Sequence, residues 1–164
     1  MSGPLVSVSK KIIDVTPTLH GSAYNDGDAL FNYQEIPNAV IGKGGCSKLI
    51  NVTVNSKKAS STPMEIMLLS NAQSLESSND PMNITAAEGA AAGFLGWVEI
   101  PDDAALDMGD FMINMPAIET QSKGRMPFLL QAAPDSTSVY FSAIIGGAVT
   151  YGASDLTFRF HIEL

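Results

Sequence analysis

The side chains in this chain whose types and spacing could do chemistry are few. The run Gly42-Lys43-Gly44-Gly45 has the glycines and the lysine of a phosphate cradle. A phosphate loop needs G-x-x-x-x-G-K-[ST], so that backbone amides, the lysine and a metal-bound hydroxyl converge on one anion. Here Lys43 is followed by Gly44 and the upstream glycine is missing, so a hairpin turn or bulge is the better reading. Asp102, Asp103, Asp107 and Asp110 bracket a loop that could gather oxygens around calcium, and Asp26 and Asp28 flank Gly27 in a second acidic turn. The D-x-[DN]-x-[DN]-G order with a glutamate at position twelve is absent. Both segments read as solvated loops, since charged side chains are mostly surface features.

His20 and His161 are the only imidazoles and Cys46 the only thiol. They lie far apart and lack the paired spacing of a zinc site. A Ser-His-Asp triad is recognised in space rather than in sequence, but no G-x-S-x-G elbow offers a local signal for one. No catalytic residue, cofactor or metal ligand is assigned. Met108, Met112, Met115 and Met126 form a loose methionine cluster. Core filling is the commoner role; several of them exposed in one patch would mark a subunit contact.

The elements that position these residues are dominated by a two-residue period. Leu156, Phe158, Phe160, Ile162 and Leu164 alternate with Thr157, Arg159, His161 and Glu163. Successive side chains on a strand point to opposite faces, so the C-terminal run has one apolar and one polar face, with His161 on the polar one. Such a strand needs hydrogen-bonded neighbours and a second layer over its apolar face. Ile50, Val52 and Val54 alternate with Asn51, Thr53 and Asn55 in the same way. Further strands are predicted within Leu5–Val15, with Ile12, Ile13 and Val15 available for a core, and over 29–36, 64–69, 94–100, 110–115, 126–130 and 139–145. Trp97, inside an apolar strand, is expected in the core. One helix is predicted, about Thr85 to Ala92, because Thr85-Ala86-Ala87-Glu88 has the spacing of a capping box and Gly93 stops it. The polar stretch Ser70 to Asn83 reads as a surface loop, 101–109 as an acidic loop, and 21–28 and 121–125 as turns.

Eight or nine strands, one small helix and no βαβ rhythm predict an all-β antiparallel sandwich, jelly-roll-like. The 164 residues suit one domain, drawn as an N-terminal arm and first strand over 1–14 and a β-sandwich over 15–164. Nine basic against seventeen acidic residues, net −8, argue against a nucleic-acid partner. A single cysteine leaves no intrachain disulfide, and no apolar run reaches membrane-spanning length or forms a signal peptide. Only 16% of residues are charged, which leaves surface that another protein can cover without desolvating ions.

Several segments together carry a resemblance. They are Val15-Thr16-Pro17-Thr18-Leu19, Ser22-Ala23-Tyr24, Gly27-Asp28-Ala29-Leu30, Ile36-Pro37-Asn38-Ala39-Val40, and Gly44-Gly45 with Leu49–Val54. The close from Tyr140 through Tyr151-Gly152-Ala153-Ser154-Asp155-Leu156 completes the set. In this order the chain resembles small virion structural proteins of tailed bacteriophages, of the capsid decoration or cement type. The resemblance implies a β-rich fold, a symmetric homo-oligomer such as a trimer, the major capsid protein as partner, and a place on the outer capsid surface after assembly in the bacterial cytoplasm. It brings no active-site motif. The partner contacts expected on this basis are the N-terminal arm, with Ser2, Pro4, Leu5, Val6 and Val8, and the Ser70–Asn83 loop. The alternative is a carbohydrate- or receptor-binding jelly roll of a tail or fibre, which requires exposed aromatics such as Trp97, Tyr24, Tyr33 or Tyr151.

Overall fold

The computed structural model describes residues 9–59, 62–116 and 128–164. Among these, the first half of the chain forms β1 (Lys10–Val15), β2 (Ala23–Tyr24), β3 (Ala29–Ile36), β4 (Cys46–Ser56) and β5 (Met64–Leu69). Helix α1 (Ala86–Ala92) leads into β6 (Phe94–Ile100), and a 3-10 turn at Asp102–Ala104 into β7 (Ala105–Asp107) and β8 (Met112–Asn114). The chain closes with β9 (Phe128–Gln131), β10 (Val139–Ile145), β11 (Val149–Thr150) and β12 (Leu156–Glu163). The expected arm residues Ser2, Pro4, Leu5, Val6 and Val8, the 121–125 turn and Met126 lie outside the described residues.

The fold is all-β, an antiparallel sandwich of two main sheets with one short helix. One sheet runs β1-β12-β4-β8-β7, with β9 beside the first part of β4; the other runs β3-β10-β5-β6; β2 and β11 form a small separate ribbon. The last strand is central to the first sheet, as its alternation demands. It pairs β1 on one side and β4 on the other, and Leu156, Phe158, Phe160 and Ile162 are all buried. β1 joins the sandwich through six register pairs, from Lys10 opposite Glu163 to Val15 opposite Phe158. The two sheets meet at four phenylalanines. Phe31 and Phe141 of the four-stranded sheet pack against Phe158, and Phe141 also against Phe160, with ring centroids 4.8–5.4 Å apart.

A third layer covers part of the outer face of the four-stranded sheet. The 70–93 segment places Leu75 and Ala92 against Met67 and Leu69, with Tyr33, Met82, Ile84, Tyr140 and Ile144 packed around them. It also follows the outer edge of β3. Asn79 N donates to Ala29 O, Ala29 N to Asp80 O and Met82 N to Gly27 O. The Asn32 side chain accepts from Leu75 N and donates to Ser74 Oγ, and Ser78 Oγ donates to Leu30 O. These bonds satisfy backbone groups that an exposed strand edge leaves open to a foreign strand. The stretch read as a surface loop is therefore a pinned edge cover. Helix α1 begins as predicted: Thr85 Oγ1 accepts from Glu88 N, and the Glu88 carboxylate accepts from Thr85 N at 2.8 Å. Gly93 ends it in the left-handed region, φ 60°, where a Cβ would come within 2.2 Å of Ser70 Oγ.

Several local expectations are corrected. Twelve described strands replace eight or nine, because the predicted acidic loop contains β7, the 21–28 turn contains β2, and β11 had no local signal. The 110–115 strand is confined to Met112–Asn114. Ile12 is 59% exposed, since strict alternation in β1 sends Ile13 inward. Ile50 is exposed because the β4–β12 register slips between His161 and Ile162, so that Asn51 opposes one and Leu49 the other. A bulge of this kind inverts the parity on one side of it, so Leu49 points inward with Val52 and Val54.

Candidate interaction surfaces

The groups with chemical potential are dispersed. Among the described residues no three His, Cys, Asp or Glu side chains come together as metal ligands. The glycine run is a tight turn, as read: Gly45 N donates to Gly42 O, and a Cβ on Gly45 would meet Ile41 O at 2.0 Å. Asp102, Asp103, Asp107 and Asp110 are exposed, and Asp107 Oδ1 accepts from Gly109 N within its own turn. Asp28 departs from its solvated reading. It is 2% exposed, and its carboxylate accepts from Asn25 N at 2.7 Å and from Asn25 Nδ2 at 3.3 Å. That makes it a turn-forming acceptor, which a buried carboxylate must be if it is to remain compatible with folding. His20 is exposed in the connection between β1 and β2, and His161 is half-buried in β12, at opposite ends of the chain.

What the architecture does gather is apolar surface, in two places. The first is the outer face of the six-stranded sheet. Across it run the rows Lys10–Glu163–Lys48–Leu129, Ile12–His161–Asn51, Asp14–Arg159–Thr53 and Thr157–Asn55–Ile113–Leu106, read from the strand registers. Ile12, Ile50, Leu106 and Leu129 stand exposed on this face. Arg159 grips Asp14 with two 2.8 Å bonds, and Lys48 lies 3.6 Å from Glu163. Hydrogen bonding from the Arg159 guanidinium holds the Asp14 carboxyl below its ordinary range; desolvation opposes it, and the charges of Arg159 and His161 add to the lowering. Ile12, Ile50, His161, Lys10, Lys11 and Glu163 frame an open groove of about 340 Å³.

At the far end of the same face, β7 and β8 form a hairpin closed by Met108 N donating to Phe111 O. Leu106, Met108, Phe111 and Met115 are all exposed on it, while Met112 is buried. Two of the clustered methionines are therefore surface residues in one patch, and one is core filling.

The second surface lies on the opposite side of the sandwich, where the 70–93 cover stops partway across the four-stranded sheet. There Phe94, Trp97, Met67, Ile144 and Glu65 line an open groove. Trp97, expected in the core, is 36% exposed. Its strand is the sheet's last, so only its inner side chains, Val98 and Ile100, are sealed. The other aromatics considered for ligand stacking divide differently. Tyr24 and Tyr151 are fully buried, Tyr24 with its hydroxyl bonded to Leu30 O, and Tyr33 is half-covered beside Tyr140. Burial also pushes the Tyr151 hydroxyl above its ordinary pKa, with the Asp155 charge adding to it and a bond with Thr62 opposing.

No helix of the described residues is long and apolar enough to cross a membrane. Comparison with family models, curated proteins and solved structures finds no match to this chain.

Proposed function

We propose that this chain is a non-enzymatic structural protein of a tailed-bacteriophage virion, a decoration or cement protein that binds the outer capsid surface as a symmetric oligomer and stabilises the shell. The observation that supports it best is the pair of exposed apolar surfaces on opposite outer faces of one sandwich, Ile12, Ile50, Leu106 and Leu129 on one and Phe94 and Trp97 on the other. A lattice-bound subunit needs two such surfaces, one for neighbours and one for the shell. The segments from Val15 to Leu156 that resemble virion proteins point the same way. A ligand that binds the assembled shell but not its free subunits stabilises the shell by mass action, and several contacts per oligomer add avidity.

Co-sedimentation with empty capsids tests this. The protein is expected to pellet with shells and to raise their disassembly temperature. Absence of pelleting at saturating protein would end the proposal. Exposure of Trp97 beside Phe94 and Glu65 also favours a second reading, a saccharide- or receptor-binding module of a tail or fibre, because an indole face beside a carboxylate suits a sugar ring. Binding on a glycan array, lost in Trp97→Ala, would support that reading over the first.

A further inference from the structure

The two ends of the six-stranded sheet's outer face are both apolar and carry opposite local charge. At one end is the groove of about 340 Å³ floored by Ile12 and Ile50. Lys10 and Lys11 line it and Lys48 stands one position further along the row, against a single carboxylate, Glu163. At the other end lies the β7–β8 hairpin, with Leu106, Met108 and Phe111 exposed. The chain from Pro101 to Pro116 carries four aspartates and no basic residue. One end is therefore a basic-rimmed apolar recess, and the other an acidic hairpin with exposed apolar side chains.

Within one molecule the two cannot meet. The groove spans β1, β12 and β4 at Ile50, whereas the hairpin tip lies beyond the Ser56–Met112 pair, about 20 Å further along β4 at ~3.4 Å per residue. The hairpin is held at its edge by the β8–β4 ladder, Val54 opposite Asn114 through Ser56 opposite Met112. A second copy has no such restriction. The chain carries a net charge of −8, so two copies repel in most orientations. Approach of the acidic hairpin to the lysine-rimmed groove is an orientation in which the local charges attract.

We propose that the β7–β8 hairpin of one copy seats in the Ile12–Ile50 groove of the next, with Met108 and Phe111 as the inserted side chains and Asp107 and Asp110 facing Lys10 and Lys48. The contact joins two different patches, so it is heterologous, and repeating it closes a ring where the rotation between successive copies permits. This deepens the oligomer part of the function proposed above and rests on it for biological purpose. The contact itself is measurable on the purified chain with no capsid present.

The test is sedimentation-velocity analysis of the full chain over a concentration series. The wild type is expected to form an oligomer. Phe111→Lys, on the hairpin, and Ile12→Glu, in the groove, are each expected to weaken association roughly thirtyfold or more, as loss of a central interface residue does. Both positions are exposed, and retention of the wild-type circular dichroism spectrum verifies folding. Mixing the two variants supplies one intact hairpin and one intact groove, so a 1:1 complex is expected to reappear. A wild type that stays monomeric throughout, or either variant keeping the wild-type mass, overturns the contact; so does failure of the mixture to form the 1:1 complex. Capsid co-sedimentation scored separately distinguishes that failure from failure of the virion proposal.

Discussion

The rings of Phe141 and Phe160 meet edge to face across the gap between the two sheets, their centroids 4.8 Å apart. Phe141 also touches Phe31 and Phe158, so one side chain of β10 ties together aromatics from both layers. Truncating it opens a cavity that strand backbones on both sides are too constrained to fill. Phe141→Ala is expected to cost about 3–5 kcal/mol of unfolding free energy. Urea denaturation measures it, and a loss under about 1 kcal/mol would mean the aromatic cluster does not hold the layers together.

The buried carboxylate of Asp28 organises the turn that brings β3 against the 70–93 cover. Asp28→Ala leaves Asn25 N without its 2.7 Å acceptor. Asn25 is exposed, so water can take the acceptor's place, and the expected loss is about 1 kcal/mol, the net worth of one hydrogen bond. Asp28→Asn, which keeps an acceptor oxygen, should recover part of it in the same denaturation assay.

Helix α1 offers a local test of stability. Thr85→Ala removes the side-chain acceptor for Glu88 N and is expected to cost about 1 kcal/mol. Gly93→Ala is expected to cost more, because it combines a left-handed backbone with a 2.2 Å approach to Ser70 Oγ. Hydrogen exchange should show faster opening of α1 and the adjoining cover in both variants, with the β12–β4 ladder unchanged.

Tyr151 sets an alkaline limit. Its pKa is raised in the fold above the ordinary 10.0, chiefly by burial, so the folded state holds the proton that the unfolded chain releases. Stability is full below pH 10 and is lost as pH rises above it toward the folded value. Tyr151→Phe should flatten that loss, measured as thermal midpoint against pH from 8 to 11.

Asp14 sets the opposite, acidic dependence. Its folded pKa is depressed below 3.8 by Arg159, so its contribution is present above that value and fades as pH falls through the lower folded one. Both side chains are largely in water, so the effect is small. Asp14→Asn should lower the thermal midpoint slightly at neutral pH, and the difference from wild type should vanish once the pH has fallen below the depressed folded value. A difference that persisted there would assign it to packing instead of charge.

Local patterns made much of the fold legible. The bounds of β3, β6 and β10 and the capped helix follow from alternation, apolar runs and the Thr85–Glu88 spacing, all of which act over a few residues. Where parity depended on a partner, the sequence misled. Ile50 reads as core until the register slip in β4 is known, and Trp97 reads as core until β6 is known to be a sheet edge with only part of its outer face covered. The 70–83 stretch is held by Asn32, Leu30 and Ala29, more than 40 positions away, and such contacts leave no periodic trace. The candidate surfaces were legible only in their polar row, Arg159, His161 and Glu163. The aliphatics exposed beside it come from four other strands, and only the register gathers them.

Trp97 is the chain's only indole, and it sits at the boundary with solvent while the phenylalanine cluster is sealed inside. Its near-ultraviolet emission is consequently a poor gauge of whether the interior is intact, since much of the ring is already wet in the native state. The same signal is well placed to report, without any dye, on whatever comes to rest against the four-stranded side.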